Sequence, residues 1–320
     1  MLVLTARGVA RTEAIGENET NVTTFPAPPM AVERKSAERR KKMRYMMRSR
    51  SALFALLTVL AYAALATGCA SSGRLNQLTA VPELLPGILA GYLPPTALPN
   101  SLALIPPPPA AGSAAFASDE EISRKGLALR GTPRWKLAIE DGDLRQAPGT
   151  FSCAVNAPVT EQETPNLYML MRRVSTDAGR STSGAKDYYS RPRPFMANNE
   201  PICTPGEEEP LRKNGSYPSG HAAVGWAWAL ILTEIAPERT DAILARGWTF
   251  GESRVICNVH WQSDVVEGRF MGASTVARLH ADAAFRVDLE AAKAELAAVR
   301  AKGLKPQRDC VAEAAAMGKQ

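Results

Sequence analysis

Histidine is scarce in this chain of 320 residues, which contains only three of them. Cysteine is also scarce, and because none of its five residues stands in a CxxC pair, the sequence does not predict a zinc knuckle. No stretch of useful length alternates apolar and polar residues, which argues against a fold built from strands. After Ala66 there is no apolar run of the roughly 20 residues that a transmembrane helix needs. The absence of long apolar runs after Ala66 excludes a multi-spanning membrane protein, and the absence of an alternating pattern favours a helical domain.

The N-terminal region has the pattern of a secretory signal. Residues 34–50 are strongly basic, residues 51–66 carry no charge, and the small residues TGCASSG follow. We therefore predict a basic region at 1–50 and a signal peptide core with its cleavage site at 51–68. The alternative is a retained membrane anchor, for which the apolar run is short. Alternative translation starts are Met30, Met43 and Met46.

Cys69 is a candidate lipidation site. The run Ala66-Thr67-Gly68-Cys69 resembles a bacterial lipobox, in which the cysteine is acylated, although its first position is Ala rather than the usual Leu. The alternative is ordinary signal cleavage after Ala66. Either reaction places the mature protein outside the cytoplasm, and acylation of Cys69 would also anchor it to a membrane.

The basic pI of about 9.1 belongs to the targeting segment. Residues 1–68 hold 11 of the 38 Lys and Arg residues and 5 of the 32 Asp and Glu residues, which leaves 27 of each sign. A folded domain with a net charge near zero gives no support for nucleic-acid binding, which needs a basic face.

The remaining cysteines favour an oxidising compartment. If Cys69 is acylated, four are left, and an even number in an exported protein suggests two disulfides with three alternative pairings. Four unpaired buried thiols are the alternative. The four cysteines are Cys153, Cys203, Cys257 and Cys310.

Helical spacing of apolar residues dominates the rest of the chain. Ser118 and Thr132 are predicted helix caps, and Pro133 suits the first turn that follows Thr132. The predicted helices are 118–130, 132–144, 166–179, 221–237, 237–246 and one or two long Ala-rich helices near the C-terminus.

Proline sets the boundary of the helical part. The run IPPPPAAGS at 105–113 must be extended, because proline lacks an N–H and has a fixed φ. We therefore predict an all-α fold, a single-domain helical bundle with a proline-rich N-terminal strap. The predicted boundaries are a tether at 69–90, the folded domain at 91–305 and a C-terminal tail at 306–320.

Two of the three histidines have neighbours that suggest chemistry. His260 and Asp264 are four residues apart and would share a face if this stretch were helical. A carboxylate in that position can hold the imidazole as a base or nucleophile, although an incidental surface pair is the alternative. His280, in the middle of an Ala-rich helical segment, is interpreted as structural.

Several cations are candidates for binding an anion. Lys186, Arg191 and Arg193 lie in one segment, and Arg254 precedes His260 by six residues. Arginine presents paired donors that match phosphate oxygens, and the prolines beside Arg191 and Arg193 stiffen that segment. The spacing alone does not say which of the two arginines faces the site. A solvated basic loop is the alternative.

The stretch Gly215–His221 places a histidine between a turn and an apolar helix. The backbone N–H groups and the dipole at the start of that helix favour a negative charge there. Gly220 allows a close approach, and His221 would lie beside the anion, where it can donate a proton.

These residues together resemble the signature of the phosphatidic acid phosphatase type 2 superfamily. The three blocks are Lys186 to Pro194, Pro218 to His221 and Ser253 to Asp264, with every fixed position present in order. The surrounding sequence is similar to the bacterial class A nonspecific acid phosphatases from about Gly91 to Gly303. The resemblance implies an all-α domain in the periplasm, a homo-oligomer, and hydrolysis of small phosphomonoesters without a metal or cofactor.

The resemblance also implies a role for each matching residue. His260 corresponds to the nucleophile that forms a phosphohistidine, Asp264 orients it, and His221 protonates the leaving group. The phosphate-binding residues are Lys186, Arg193, Ser219, Gly220 and Arg254. Two alternatives keep the same site: a vanadate-dependent haloperoxidase, and a lipoprotein that binds phosphorylated ligands without turnover.

Overall fold

The computed structural model describes residues 81–145 and 147–318. The predicted basic region at 1–50, the signal segment at 51–68, Cys69 and the first part of the tether, to residue 80, lie outside the described residues. These predictions therefore stay predictions.

The described chain is mostly helical, as predicted. Its first half contains α1 (Ser101–Leu104), α2 (Ala114–Leu127), α3 (Pro133–Glu140), α4 (Ser152–Val155), α5 (Pro165–Ser181), α6 (Ser183–Tyr189), α7 (Pro194–Asn198) and α8 (Glu208–Arg212). Its second half contains α9 (Gly220–Ile235), α10 (Thr240–Ile256), α11 (Gln262–Leu279), α12 (Ala283–Ala301) and α13 (Cys310–Met317). Short 3₁₀ helices occupy Pro95–Ala97, Ala147–Phe151, Pro205–Glu207 and Pro237–Arg239.

One small sheet precedes the helices and was not predicted. Strands β1 (Glu83–Leu85) and β2 (Ile88–Leu89) pair antiparallel. Gly87, with φ of 79°, supplies the left-handed conformation that the tight turn between them requires. Strands of two and three residues are too short for an alternating pattern to show in the sequence.

Helix α9 forms the centre of the bundle. Its residues are apolar on nearly all sides, so it can be stable only when it is surrounded, and α5, α10 and α11 pack around it. Trp228 in α9 is fully buried and donates from Nε1 to the Met171 carbonyl of α5 at 2.7 Å. This hydrogen bond satisfies the indole donor inside the core.

Small residues bring α11 against the N-terminal end of α9. A Cβ atom at Gly268 would lie 2.4 Å from the Ser219 carbonyl oxygen, and one at Gly272 would lie 2.4 Å from the Ala223 carbonyl oxygen. Real side chains do not tolerate such distances, so glycine is required at both positions. The close contact holds the segment that precedes α11 beside the start of α9.

Two predicted helix boundaries need correction. Helix α2 begins at Ala114, and its cap is Ser113, whose Oγ accepts from the Phe116 N–H at 3.2 Å. Ser118, the predicted cap, therefore lies inside the helix. The helix predicted at 237–246 is a 3₁₀ turn followed by α10, which continues to Ile256. In contrast, the cap at Thr132 is confirmed.

The proline-rich residues contact the turn that precedes α9. Residues 106–110 form neither helix nor strand, and the Tyr217 hydroxyl donates to the Pro106 carbonyl at 2.6 Å. Within the described part of the chain, every helix is too short or too polar to cross a bilayer.

The four cysteines form two disulfides, which selects one of the three alternative pairings. Cys153 in α4 pairs with Cys310 at the start of α13, and Cys203 pairs with Cys257 at the end of α10. The first bond closes a loop of 157 residues and the second closes one of 54 residues. Both therefore restrict the unfolded chain, and the first restricts it more.

Removing either disulfide should destabilise the protein, and the larger loop should matter more. Replacing Cys153 and Cys310 by serine should lower the free energy of unfolding by about 5 kcal/mol, and replacing Cys203 and Cys257 by about 4 kcal/mol, going by loop-closure entropy. Urea unfolding monitored by circular dichroism measures both values. The reverse order would show that native contacts around Cys257 outweigh the entropy of the unfolded chain.

Candidate active site

The residues predicted to carry chemistry come from several segments and meet at the N-terminal end of α9. They are Lys186 in α6, Arg193 before α7, Ser219, Gly220 and His221 at the start of α9, Arg254 in the last turn of α10, and His260 and Asp264 around the start of α11. Of the side chains in this set, only that of His221 is more than slightly exposed.

His260 and Asp264 contact each other, but the helical explanation for the contact is wrong. His260 precedes the cap residue Trp261, and α11 begins only at Gln262. Asp264 lies in the first turn, and its Oδ2 reaches back to accept from the Trp261 N–H at 2.9 Å and to lie 3.2 Å from His260 Nδ1. The pair therefore forms because a capping carboxylate folds back over the residues before the helix.

The partners of His260 assign its tautomer. Its Nε2 lies 3.1 Å from Nη1 of Arg193, and a guanidinium can only donate. Nε2 must therefore accept, and in the neutral ring the proton is on Nδ1, which donates to Asp264. This is the tautomer that a nucleophile acting through Nε2 requires.

The surroundings of His260 keep it neutral. Burial lowers its pKa well below the usual value, the positive charges of Arg193, Lys186 and Arg254 lower it further, and the nearby Ser216 carbonyl opposes this effect. Burial acts on Asp264 in the opposite sense and raises the pKa of its carboxyl, while the nearby guanidinium of Arg191 opposes that increase.

Arg193 is locked in place by backbone carbonyls. Its Nη1 donates to Val259 O at 2.8 Å, its Nε donates to Leu211 O at 3.0 Å, and its Nη2 donates to Gly215 O at 3.2 Å. Since the carbonyls are neutral, the guanidinium keeps its net positive charge for the site.

Lys186 is also held by the turn before α9. Its Nζ donates to the carbonyls of Gly215 at 3.0 Å and Pro218 at 2.8 Å, with Ser216 O more distant at 3.4 Å. Burial, followed by the positive charge of Arg193, lowers the pKa of Lys186 to about 7. Lys186 therefore shapes the turn and adds a charge that depends on pH.

Helix α9 begins at Gly220, one residue before its predicted start. Ser219 is the cap, and its Oγ accepts from the Ala222 N–H at 3.2 Å. The Ser219 N–H donates to the Asp264 carbonyl at 2.9 Å, which ties the helix to the segment that carries His260. The first N–H groups of α9 and the helix dipole then face the site.

His221 is held by the loop that follows α3. Its Nε2 lies 3.0 Å from the Gly142 carbonyl oxygen, which can only accept, so Nε2 carries a proton. Burial, followed by the charge of Arg254, lowers the pKa of His221 well below its usual value, and the hydrogen bond to Gly142 opposes this effect. In the free site the ring is therefore neutral.

Arg254 is the least satisfied side chain of the site. It is fully buried, and within residues 81–145 and 147–318 none of its three guanidinium nitrogens has a hydrogen-bond partner. The nearest carboxylate oxygen, Oε2 of Glu207, is 3.9 Å from Nη2, beyond hydrogen-bond distance. A buried guanidinium without partners is unfavourable unless an anion binds to it.

Sequence reasoning missed a buried ion pair behind Asp264. Arg191 donates from Nη1 to Asp264 Oδ1 at 2.6 Å and from Nη2 to Asp119 Oδ2 at 2.8 Å. Arg191 was a candidate for the anion site, but both of its Nη groups point to carboxylates instead. No local pattern could reveal this role, because the partners are more than 70 residues away along the chain.

A second buried network supports the loop that contacts His221. Asp141 forms an ion pair with Arg246 and accepts from Ser253 Oγ at 2.6 Å, and both Asp141 and Arg246 are fully buried. Gly142, the next residue, carries the carbonyl that binds His221. The remaining histidine, His280, ends α11 and lies 3.3 Å from Glu234, in agreement with a structural role.

The sequence is similar to those of known acid phosphatases. The sequence model of the PAP2 superfamily matches residues 167–287. A non-specific acid phosphatase from Providencia stuartii is 42% identical over 228 residues, which are 70% of this chain and 90% of the relative. One from Salmonella typhimurium is 45% identical over 200 residues, which are 62% of this chain and 80% of the relative. An acid phosphatase from Zymomonas mobilis is 40% identical over 209 residues, which are 65% of this chain and 79% of the relative.

The chain belongs to the bacterial class A non-specific acid phosphatases. It is accordingly a phosphoric monoester hydrolase. The matched region of the superfamily runs through α5 to α11, and it contains all eight predicted site residues of this phosphatase.

Arg254 should reduce the stability of this phosphatase while serving its activity. Arg254→Met should raise the free energy of unfolding by about 1–4 kcal/mol, because it removes a buried charge that, among the described residues, lacks a hydrogen-bond partner and has only the distant Glu207 as an ion-pair partner. The same variant should lose activity, and inorganic phosphate should raise the melting temperature of the wild type but not of the variant. Thermal unfolding with and without phosphate measures both effects.

Arg246→Met is the matched control, since Arg246 is equally buried but is paired with Asp141. It should lower the free energy of unfolding by about 3–5 kcal/mol, because it leaves a buried carboxylate unpaired. Equal destabilisation by the two substitutions would contradict our description of Arg254.

Proposed function

We propose that this phosphatase hydrolyses small phosphomonoesters through a phosphohistidine on His260 and does so without a metal ion. The observation that carries the proposal is the buried, unpartnered guanidinium of Arg254 beside two neutral imidazoles. A phosphoryl group supplies the negative charge that this arrangement lacks. Phosphoryl transfer depends mainly on positioning and on neutralising charge, both of which the site can provide.

The first step is binding of the phosphate group. Arg254 offers free donors, the start of α9 offers backbone N–H groups at Gly220 and His221, and the Ser219 hydroxyl can donate its proton. Lys186 contributes mainly its charge, since its nearest partners are the carbonyls of the turn.

The second step is release of the nucleophile. In the free site Arg193 holds the Nε2 lone pair of His260. A phosphate oxygen is a stronger acceptor than an imidazole, so Arg193 transfers its hydrogen bond to the bound substrate. The lone pair then faces phosphorus, and Asp264 stabilises the positive charge that develops on the ring.

The third step breaks the ester bond. His260 Nε2 forms a bond to phosphorus while the bond between phosphorus and the ester oxygen breaks, and His221 gives its proton to the departing alkoxide. Neutral His221 then takes a proton from a water molecule, which attacks phosphorus and displaces His260. The products are an alcohol and inorganic phosphate.

The bound anion also charges His221. The positive neighbours that lower its pKa in the free site are neutralised by the phosphate, so its pKa rises on binding. The enzyme thus acquires its general acid only when substrate is present, and mildly acidic solution favours that state.

The charge of the site is the argument for metal independence. Lys186, Arg193 and Arg254 create a positive potential that repels a divalent cation, and these cations can neutralise the phosphoryl oxygens as Mg²⁺ does elsewhere.

Export to the periplasm is the second part of the proposal. Two disulfides support an oxidising compartment, and an acylated Cys69 would hold the enzyme at the outer membrane. The partners are then small phosphomonoesters and further copies of this chain in a homo-oligomer, rather than nucleic acid.

His260→Ala should abolish the proposed reaction. Without the nucleophile, hydrolysis of p-nitrophenyl phosphate in mildly acidic buffer with EDTA should fall by about 10⁴-fold or more. Rapid quenching into alkali with radiolabelled substrate should trap phosphohistidine in the wild type only.

The control is His280→Ala, which removes a half-exposed histidine that is paired with Glu234. It should leave the rate unchanged. Equal rates for wild type and His260→Ala would rule out the proposed mechanism. Loss of wild-type activity in EDTA would rule out metal independence.

Anion binding should be coupled to proton uptake by His221. Sulfate keeps its charge across mildly acidic pH, so calorimetric titration in buffers of different ionisation enthalpy reports protons taken up by the protein alone. We expect an uptake close to one proton at about pH 6, where a histidine of lowered pKa is still neutral before binding. His221→Gln should lose this uptake, and an unchanged uptake in the variant would assign the proton to another group.

A further inference from the structure

Arg191 occupies a place between two buried carboxylates. Its side chain is 6% exposed, and its two Nη groups divide between Asp264 on one side and Asp119 on the other, at 2.6 and 2.8 Å. Its guanidinium carbon also lies 5.4 Å from the centre of the Trp261 ring, and Trp261 Nε1 donates to the Pro192 carbonyl at 2.9 Å. The residue is therefore held between the segment beside His260 and Asp119 of α2.

Asp119 connects this arrangement to a distant helix. It lies in α2, is 3% exposed, and accepts from the Ser263 N–H at 2.8 Å and from Ser263 Oγ at 2.5 Å. Ser263 Oγ in turn accepts from Arg191 Nη1 at 2.8 Å. Asp119 thus fixes both the cation and the first turn of α11, in which Asp264 lies.

Because Arg191 is fixed by Asp119, the two oxygens of Asp264 bind different partners. Oδ1 receives Arg191, while Oδ2 is left for His260 Nδ1 and the Trp261 N–H. A carboxylate that is held at one oxygen cannot rotate, so the other oxygen stays directed at the imidazole.

The backbone explains why Arg191 and Arg193 differ in role. Arg193 has φ of −78° and ψ of 156°, close to polyproline II, and Pro192 restricts the residue between the two arginines. With three residues per turn, side chains two positions apart point in directions about 120° apart. Arg193 reaches His260, and Arg191 reaches the carboxylates behind it.

We infer that Arg191 and Asp119 are positioning residues of this phosphatase: they keep the Asp264 carboxylate charged and directed at His260, and neither contacts the substrate. The inference rests on the proposed function, because it assigns how the proposed nucleophile is oriented. Arg191 supplies the positive charge beside Asp264, and Asp119 fixes the positions of Arg191 and of the first turn of α11.

Charge near Asp264 comes from several elements. Lys186 faces it from α6, Arg191 and Arg193 from the segment before α7, and His260 from the segment before α11. The Tyr217 hydroxyl lies within electrostatic range from the turn before α9. Among the groups that lower the Asp264 pKa against burial, Arg191 contributes most. Weakening Arg191 therefore makes Asp264 take up a proton at higher pH, and protonated Asp264 no longer stabilises a charged His260.

The experiment is a pH profile of Arg191→Lys with p-nitrophenyl phosphate. Lysine keeps a positive charge but cannot bridge two carboxylates. We expect kcat to fall by about 10–100-fold, the loss typical of residues that orient a metal-binding histidine through its second nitrogen. The acidic limb of the kcat/KM profile should move to higher pH, and the inhibition constant of inorganic phosphate should stay within about threefold of the wild type. Arg193→Lys, in contrast, should weaken phosphate inhibition.

Asp119→Asn tests the positioning role without replacing Arg191, and it tests the inference even if Arg191→Lys does not fold. It should lower kcat, but the acidic limb should not move to higher pH, because Arg191 can still donate to Asp264 Oδ1. Arg269→Lys is the matched control: Arg269 is also buried, lies in α11 and is paired with Glu252, but on the side of Trp248. It should change neither kcat nor the profile.

A spectroscopic measurement tests the inference without activity. With three histidines in the chain, the imidazole ¹⁵N spectrum is simple enough to assign by substitution. His260 should show the Nδ1–H tautomer in the wild type and a mixture of tautomers in Arg191→Lys. An unchanged kcat or an unchanged tautomer would overturn the inference, and so would phosphate inhibition weakened as much as in Arg193→Lys. Full activity of His260→Ala would instead overturn the proposed function itself.

Discussion

The structure depends on concentrating positive charge where water is largely excluded. Three cations lie around one imidazole, and burying each of them is unfavourable unless polar groups compensate. The protein compensates two of them with neutral carbonyls: Arg193 binds Val259 and Leu211, and Lys186 binds Gly215 and Pro218. These contacts satisfy the donors without cancelling the charge. Among the described residues, Arg254 has no such compensation in the free site. Binding of an anion supplies it, so the unfavourable burial of Arg254 contributes to the affinity of the site for anions.

In the proposed mechanism, the same positive potential gives the two histidines opposite roles. Both are neutral in the free site, because burial and the cations lower both pKa values. A bound phosphoryl group cancels that field, after which the two rings differ through their fixed partners. His260 has its lone pair on Nε2 and a carboxylate behind Nδ1, whereas Nε2 of His221 is bound to the Gly142 carbonyl. Under the proposed mechanism, substrate binding therefore creates the acid and exposes the nucleophile in one event.

Much of this site could be predicted from the sequence, because residues that bind an anion are restricted in type and spacing. The turn and the apolar stretch after it indicated that a helix begins beside His221, and the structure has that helix begin at Gly220, with Ser219 as its cap. The contact of His260 with Asp264 was predicted for the wrong reason, since a helical spacing and a capping residue that folds back give the same separation of four. Asp119 was not a predicted site residue, and the predicted cap at Ser118, which is locally as plausible as the true one at Ser113, would place it at the start of the helix.

What escaped prediction is the set of residues that act through other residues. Arg191 and Arg193 have the same chemistry and nearly the same neighbours in sequence, yet Arg193 binds His260 and Arg191 binds the Asp264 carboxylate behind it. The difference arises from Asp119, which is brought by α2 from 72 residues away. Residues that bind one ligand have restricted types and spacings in the sequence, because the ligand requires them. A positioning pair such as Arg191 and Asp119 is brought together by packing between helices and leaves no such local pattern. Such a pair becomes visible only when the buried partners of each charge are identified.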